Sequence, residues 1–297
     1  MLTRRIGNTS VSAIGLGAMP LSVEGRPDRA RAIATVHAAL DEGITLIDTA
    51  DSYHWHADER GHNEELLARA LATRPGDTSD VLIATKGGRT RPGDGTWTVN
   101  GTPEHIRRAC EGSLRRLGVE AIGLYQLHKP DPDVPWSDSV GALRDLLDAG
   151  LIRAAGVSNV TCDQIREARA VLGDLLVSVQ NRYSPRYRDS LPELRLCDRL
   201  GIAFLPWSPL GGITPSALDG PGRVPPPPRP KSPPTPFHAV AGERGTTPQE
   251  ICLAWHLSHS PHVIPIPGAT RPETARSSAR AAALTLTREE LARLDGG

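Results

Sequence analysis

The sequence predicts an α/β fold, a single (β/α)8 barrel over residues 1–297. Three observations predict it. Short apolar segments alternate with helical ones along the chain, and such alternation implies parallel strands joined by right-handed crossovers. Eight strand–helix units are found, a count that suits one barrel of this length. Several strands are apolar on both faces, as expected between a packed interior and an outer ring of helices. An open doubly wound sheet is the competitor. Against it, no G-x-G-x-x-G turn opens a helix after a strand, and Gly15-Leu-Gly17 is only a pair of glycines.

Residues 2–14 read as a hairpin, with Gly7-Asn8 as turn and Val11 to Ile14 as return strand, placed to plug one end of the fold. The first barrel strand is Gly15–Leu16. Its helix, Asp28 to Asp41, carries an apolar stripe through Ala30, Ile33, Ala34, Val36, His37 and Leu40. Strand 45–47 leads to helix 63–72, and strand 81–85 leads through a long loop to helix 103–117. Thr102 suits that helix's N-cap and Pro103 its first turn. Strand 122–127 precedes helix 137–149. Strand 153–157 precedes a helix opened by the capping box Thr161-Cys-Asp-Gln164. Strand 176–179 precedes helix 191–200, and strand 203–205 precedes helix 248–259, opened by Thr247-Pro-Gln-Glu250. Strand 262–265 precedes helix 273–283, and a short helix from Arg288 to Leu294 starts at a third capping box at Thr287. Pro221 to Pro236 breaks the pattern. It reads as a stiff, extended polyproline II loop lying over the site as a lid or spacer, with a ligand for a proline-binding module as the weaker reading.

The composition excludes several classes. Basic and acidic residues balance at 34 each, so there is no electrostatic case for nucleic acid or an anionic membrane. Cys110, Cys162, Cys197 and Cys252 match neither a zinc spacing nor a disulfide framework. The N-terminus lacks a secretion signal's apolar core, and no apolar run is long enough to span a bilayer. A cytoplasmic protein is expected.

In a barrel, chemistry gathers where strands end. Here the strand ends offer Asp48 and Tyr53 after the second strand, Lys86 after the third and His128 after the fourth. A free phenol, with a pKa near ~10, is a poor acid at neutral pH. An adjacent ammonium favours tyrosinate and is expected to lower that pKa. Asp48 would hold Lys86 charged, and His128 would orient a carbonyl oxygen or relay a proton. The set suits a tyrosine that protonates an oxygen as negative charge develops on it. It needs no metal. The remaining strand ends suit a nicotinamide cofactor. Ser158, Asn159 and Gln180 can hydrogen-bond a carboxamide, and Trp207 offers a flat face. Gly268-Ala-Thr270-Arg271 leads into a helix, where phosphate binds well. Arg271 can fork onto a 2′-phosphate, favouring NADPH, with NADH as the alternative. Trp55 and Trp97, in the loops after the second and third strands, are candidate walls of an apolar substrate pocket, whereas Trp136 is expected to pack as structure.

These residues resemble the aldo-keto reductase superfamily over nearly the whole length. Asp48-Thr-Ala-x-x-Tyr53 with Asn63-Glu64, then Ser113-Leu-x-Arg-Leu-Gly118 with Leu124-Tyr-Gln-Leu-His128, resemble its two signatures. Gly156-Val-Ser-Asn159, Gln180-Asn-x-Tyr-Ser184 and Trp207-Ser-Pro-Leu-Gly211 resemble later blocks. The resemblance implies Tyr53 as general acid, Lys86 and Asp48 lowering its pKa, and His128 orienting a carbonyl. It implies hydride transfer from NADPH to an aldehyde or ketone, with Ser208, Leu210 and Gly212 among the cofactor contacts. It also implies a monomer and a hairpin-closed barrel bottom. Two departures stand out. Ser277-Ser278 occupies the place of a common Glu-Asn pair that contacts adenine, with Arg276 as a candidate substitute, and the proline-rich loop is unlike the usual one. Two rival functions follow from the same residues: a cofactor-sensing regulatory subunit with little turnover, and a Schiff-base lyase using Lys86.

Overall fold

The computed structural model describes residues 1–214 and 235–296. It opens with an antiparallel hairpin of β1 (Thr3–Ile6) and β2 (Thr9–Ser12). Gly7 makes the turn at φ +56°, in the left-handed region glycine tolerates best. The barrel strands are β3 (Leu16–Gly17), β4 (Leu46–Asp48), β5 (Leu82–Gly87), β8 (Leu124–Leu127), β9 (Ala155–Ser158), β10 (Leu176–Gln180) and β11 (Ala203–Phe204). They form one parallel sheet in the order β3-β4-β5-β8-β9-β10-β11. A separate antiparallel ribbon, β6 (Arg89–Thr90) with β7 (Thr98–Val99), lies in the loop after β5. The outer ring comprises α1 (Arg29–Asp41), α2 (His62–Thr73), α3 (Pro103–Leu117), α4 (Trp136–Asp148), α5 (Cys162–Leu172), α6 (Leu191–Leu200), α8 (Pro248–Ser258) and α9 (Pro272–Arg280). Helices α7 (Pro236–Arg244) and α10 (Arg288–Asp295) are additions to the repeat.

The expected eighth strand, 262–265, makes only isolated bridges, one from Val263 to Phe204 and one from Gly268 to Gly17. Its prolines explain why. On one side the N–H groups of Ile264 and Ile266 donate to the carbonyls of Phe204 and Pro206. On the other, the carbonyls of Pro265 and Pro267 accept from the N–H groups of Gly15 and Gly17. Proline has no N–H to return, so that ladder runs in one direction only. The barrel still closes, as a (β/α)8 fold.

The period-two alternation of strand side chains decides what reaches the active end. Leu46, Leu82, Ala84 and Leu124 point into the barrel and pack with Val177, Ala203, Leu205 and Ile264. Ile6 and Val11 of the hairpin join this cluster, so β1 and β2 stopper the strands' N-terminal end. Ile47, on the other parity, packs with α1 and α2, while Tyr125 and Val157 pack with α3 to α5. Two residues beyond the interior leucines and Ala84, the same parity brings Asp48, Lys86 and Gln126 inward. The β10 strand carries a register irregularity between Leu176 and Ser178, which sets Ser178 and Gln180 in line with that polar layer.

The predicted elements otherwise differ from the observed ones by at most three residues at their ends, and helices 103–117 and 191–200 coincide with them. Helix α7 was not expected: Thr235-Pro236 caps it directly after the proline run. The lid reading of the proline-rich loop falls mostly on residues outside the described ones. Trp136 packs as expected, its indole N–H donating to the Gln164 carbonyl at 3.1 Å. No described helix is long and apolar enough to cross a membrane. Among the described residues no group of His, Cys, Asp and Glu is placed to hold a metal.

Candidate active site

Lys86 is the centre of the strand-end layer. It has no exposed surface, and its ammonium donates to Asp48 Oδ1 at 2.6 Å, the Thr49 carbonyl at 2.9 Å and Tyr53 Oη at 3.1 Å. A lysine ammonium has three N–H groups, so all are used. Asp48 is held on its other oxygen by Gln180 Nε2 at 2.8 Å and, more weakly, by Gln126 Nε2 at 3.4 Å. A buried carboxylate is thereby paired and hydrogen-bonded, as burial requires.

The loop from Asp48 to Tyr53 is fixed from behind by α2. Thr49 Oγ1 donates to Asn63 Oδ1 at 2.6 Å, and Asn63 Nδ2 donates to the Ala18 carbonyl and to Ser22 Oγ. Glu64 accepts from Thr85 Oγ1 at 2.5 Å and from Arg116 Nε at 2.6 Å, tying β5 to α2 and α3. Asn63-Glu64 thus acts through the loop and strand that carry Tyr53 and Lys86.

The electrostatics follow from burial. Burial raises the Tyr53 pKa above that of an ordinary phenol, and Lys86 offsets only part of this. The expected lowering is therefore not found in the free site. What Lys86 does is make tyrosinate less costly than it would be in the same pocket without a cation. Burial pulls the Lys86 pKa down, but Asp48 and Tyr53 more than reverse this, so the amine is held charged. Burial, with Lys86 and Arg89 nearby, holds His128 well below the usual histidine range, so its imidazole is neutral. It meets the Tyr53 ring edge-on at 5.6 Å.

A cavity of about 180 Å³ opens over this layer. Asp48, Tyr53, Trp97, His128, Ser158, Asn159, Gln180, Trp207, Ser208, Leu210 and Gly268 all line it. Asn159 and Ser208 hold left-handed backbone, φ +60° and +48°, which costs energy for residues other than glycine and marks constrained positions. Asn159 Nδ2 donates to the His128 carbonyl and to Ser158 Oγ, each at 3.0 Å, while its Oδ1 accepts from Trp207 Nε1 at 3.2 Å. The amide, the hydroxyl and the indole are thus set in place beside the cavity.

Other expected residues lie outside that wall. Trp55 stacks on His56 at 5.2 Å, lies near Arg26 and is not among the residues that line the cavity. Gly212 is exposed at φ +94°, two residues past Leu210. Thr270 and the exposed Arg271 stand at the start of α9, next to the cavity rim at Gly268. Ser277 Oγ donates to Glu250 Oε1 at 2.8 Å, and Arg276 lies 3.8 Å from Glu42. Sequence reasoning missed Arg89, Met19 and Pro20, which also line the cavity. Arg89 carried one legible signal: Gly93-Asp-Gly95 between β-forming residues marks the hairpin turn that brings β6 and β7 together.

The closed barrel thus carries a buried lysine–carboxylate pair under a phenol at its active end. The family model described as "Aldo/keto reductase family" matches residues 13–296, and the chain belongs to that family. An uncharacterized oxidoreductase of Schizosaccharomyces pombe is 35% identical over 297 residues, 99% of this chain and 89% of that protein. Among solved structures, a glycerol dehydrogenase from Gluconobacter oxydans superposes with a TM-score of 0.83 at 31% identity, covering 99% of this chain and 94% of that one. An aldo/keto reductase from Klebsiella pneumoniae, solved with NADP and acetate, gives 0.77 at 29% identity, covering 99% and 94%. The protein is accordingly an oxidoreductase of the carbonyl-reducing kind.

Proposed function

We propose that the protein reduces an aldehyde or ketone to an alcohol at the expense of NADPH, with Tyr53 as the proton donor. The observation that carries the reading is the contact of Lys86 with both Asp48 and Tyr53 at the floor of a cavity that His128 also lines. The other wall suits a nicotinamide. Trp207 offers a ring face, and the polar side chains of Ser158, Asn159 and Gln180 converge beside it. Gln180 gives one amide N–H to Asp48, which leaves its second N–H and its oxygen for a cofactor. The solved Klebsiella relative with NADP supports the same choice. Arg271, exposed at the α9 N-terminus and without an ion pair among the described residues, suits a 2′-phosphate.

Bound in this cavity, the cofactor would supply a hydride to the carbonyl carbon. The chain's own residues serve the oxygen. Neutral His128 donates a hydrogen bond that orients the carbonyl without competing as an acid. Tyr53 transfers its proton to the oxygen as charge grows there, and Lys86 stabilises the tyrosinate left behind. The same geometry disfavours a Schiff-base lyase. An amine held charged, fully buried and hydrogen-bonded at all three N–H groups has no lone pair to attack a carbonyl.

The test follows NADPH and NADH absorbance across aldehydes, ketones and alcohols with wild type and Tyr53→Phe. The variant should bind NADPH with unchanged affinity and lose roughly 10²-fold or more in kcat. Near-wild-type turnover by Tyr53→Phe on every carbonyl would remove Tyr53 from the acid role.

A further inference from the structure

We propose that the site selects carbonyl substrates bearing an anionic group, a carboxylate or a phosphate, and that Arg89 is the residue that holds it. The inference rests on the reductase reading and adds a substrate class to it.

Arg89 sits on the ribbon after β5 and lines the cavity beside Tyr53 and His128, with its guanidinium 4.5 Å over the Trp97 ring. It makes no hydrogen bond or ion pair with any described residue, and its Nε is buried without a partner. Arg91, two residues on, provides the contrast. It too lies over Trp97, at 4.6 Å, but it is neutralised by Glu24 and hydrogen-bonded to the His54 carbonyl. Arg91 therefore reads as the structural arginine, fixing the tryptophan, while Arg89 keeps its fork free.

The charges on the cavity wall point the same way. Asp48 is cancelled by Lys86 at 2.6 Å, and His128 is neutral. Arg89 is then the one uncompensated charge among the described lining residues. Arg89 is half-buried, its Nε shielded from water without a partner, and a ligand oxyanion would supply it with a counter-charge. A guanidinium fork matches carboxylate or phosphate oxygens in paired hydrogen bonds.

Position separates this anion from the cofactor's own phosphates. Arg89 follows the third barrel strand, β5, whereas Trp207 follows the seventh, β11. In an eight-stranded barrel those two strands face each other across the axis. Arg89 thus stands opposite the wall proposed for the cofactor, on the side where the substrate's remaining part must extend.

The experiment compares matched substrates with the full chain and NADPH. The pairs are succinic semialdehyde against butanal, 4-carboxybenzaldehyde against benzaldehyde, and glyceraldehyde 3-phosphate against glyceraldehyde. The anionic member of at least one chemistry should show a kcat/KM roughly 10- to 100-fold higher, as a charge-assisted contact supplies. The carboxylate and phosphate pairs report separately which oxyanion is preferred. In Arg89→Met the ratio should fall to about one, and Arg89→Lys should recover part of it. Rising ionic strength should erode the wild-type ratio. A wild-type ratio near one in every pair, or a ratio unchanged in Arg89→Met, overturns the proposal while turnover of the neutral aldehydes leaves the reductase reading standing. If no aldehyde is turned over, that reading falls, and tryptophan fluorescence titration with unreactive succinate decides the anion site. Quenching lost in Arg89→Met supports it, and no binding by wild type overturns it.

Discussion

Replacing Lys86 by Met keeps most of the side-chain length and removes the charge, and it should act on folding and turnover separately. For folding, Asp48 would remain buried with Gln180 and Gln126 as its side-chain donors. Losing one partner of a buried ion pair costs about 3–5 kcal/mol. For turnover, the relevant contact is the 3.1 Å between amine and phenol oxygen. At an effective dielectric of ~20, the attraction between ammonium and tyrosinate at that separation is about 5 kcal/mol, an upper bound near ~10⁴ in rate. Removing a single oxyanion donor elsewhere costs ~10²–10³, so we expect kcat to fall about 10³-fold. Urea denaturation reads the first effect and steady-state NADPH consumption the second. The double variant Asp48→Asn with Lys86→Met should regain most of the stability, because the stranded charge is gone, but none of the turnover. The pH sign also follows. The folded pKa of Lys86 is raised above 10.5, so its contribution is fully present below about 10.5 and is lost as pH rises through the higher folded value. Turnover by Lys86→Met within tenfold of wild type, or a double variant no more stable than the single one, would refute the assignment of Lys86 as a charged partner to both neighbours.

Two further substitutions probe the frame of the site. Asp51 is fully buried, with one oxygen unpartnered and the other 2.7 Å from the half-exposed Arg60, and burial pushes its pKa up to about 6 from 3.8. A carboxyl raised in the fold contributes stability below its unfolded pKa and loses it as pH rises through about 6. Asp51→Asn should therefore be more stable than wild type at pH 8, by ~1–3 kcal/mol, with the gap closing below about pH 4, as urea midpoints across pH would record. Gly17→Ala would place a Cβ 2.7 Å from the Ile266 carbonyl, pushing back the segment that closes the barrel beside Gly268. We expect a loss of ~1–3 kcal/mol and weaker NADPH binding by fluorescence titration; an unchanged midpoint would mean that this seam is slack.

Much of this architecture was legible because two periodicities agree. Helical stripes such as that of α1 and the strand alternation that puts Leu46 inside and Ile47 outside both survive without tertiary information. The convergence of Asp48, Tyr53, Lys86 and His128 follows from the same parity, since each stands at or just beyond a strand end. Three features were not legible. The eighth strand reads as regular until Pro265 and Pro267 are placed at ladder positions that need an N–H. The Tyr53 pKa runs opposite to the expectation because burial depth, which a sequence does not carry, outweighs the nearby ammonium. Arg89 was hidden in a loop without periodicity, where only the turn chemistry of Gly93-Asp-Gly95 hints at a hairpin. Trp55 and Trp97 show the limit of reading loops by composition: both looked alike, yet only Trp97 is folded over the cavity, by the ribbon it belongs to.

That ribbon is hydrogen-bonded to itself and not to the barrel sheet. Tyr53 and Lys86 are tied to the barrel strands, while Arg89 and Trp97 face the cavity from a few positions of a separate strip. On the proposed reading, drift or deliberate redesign in 88–100 would change the clientele of the catalyst without rewriting its chemistry, and a chimera exchanging this strip between relatives is expected to carry its preferences along.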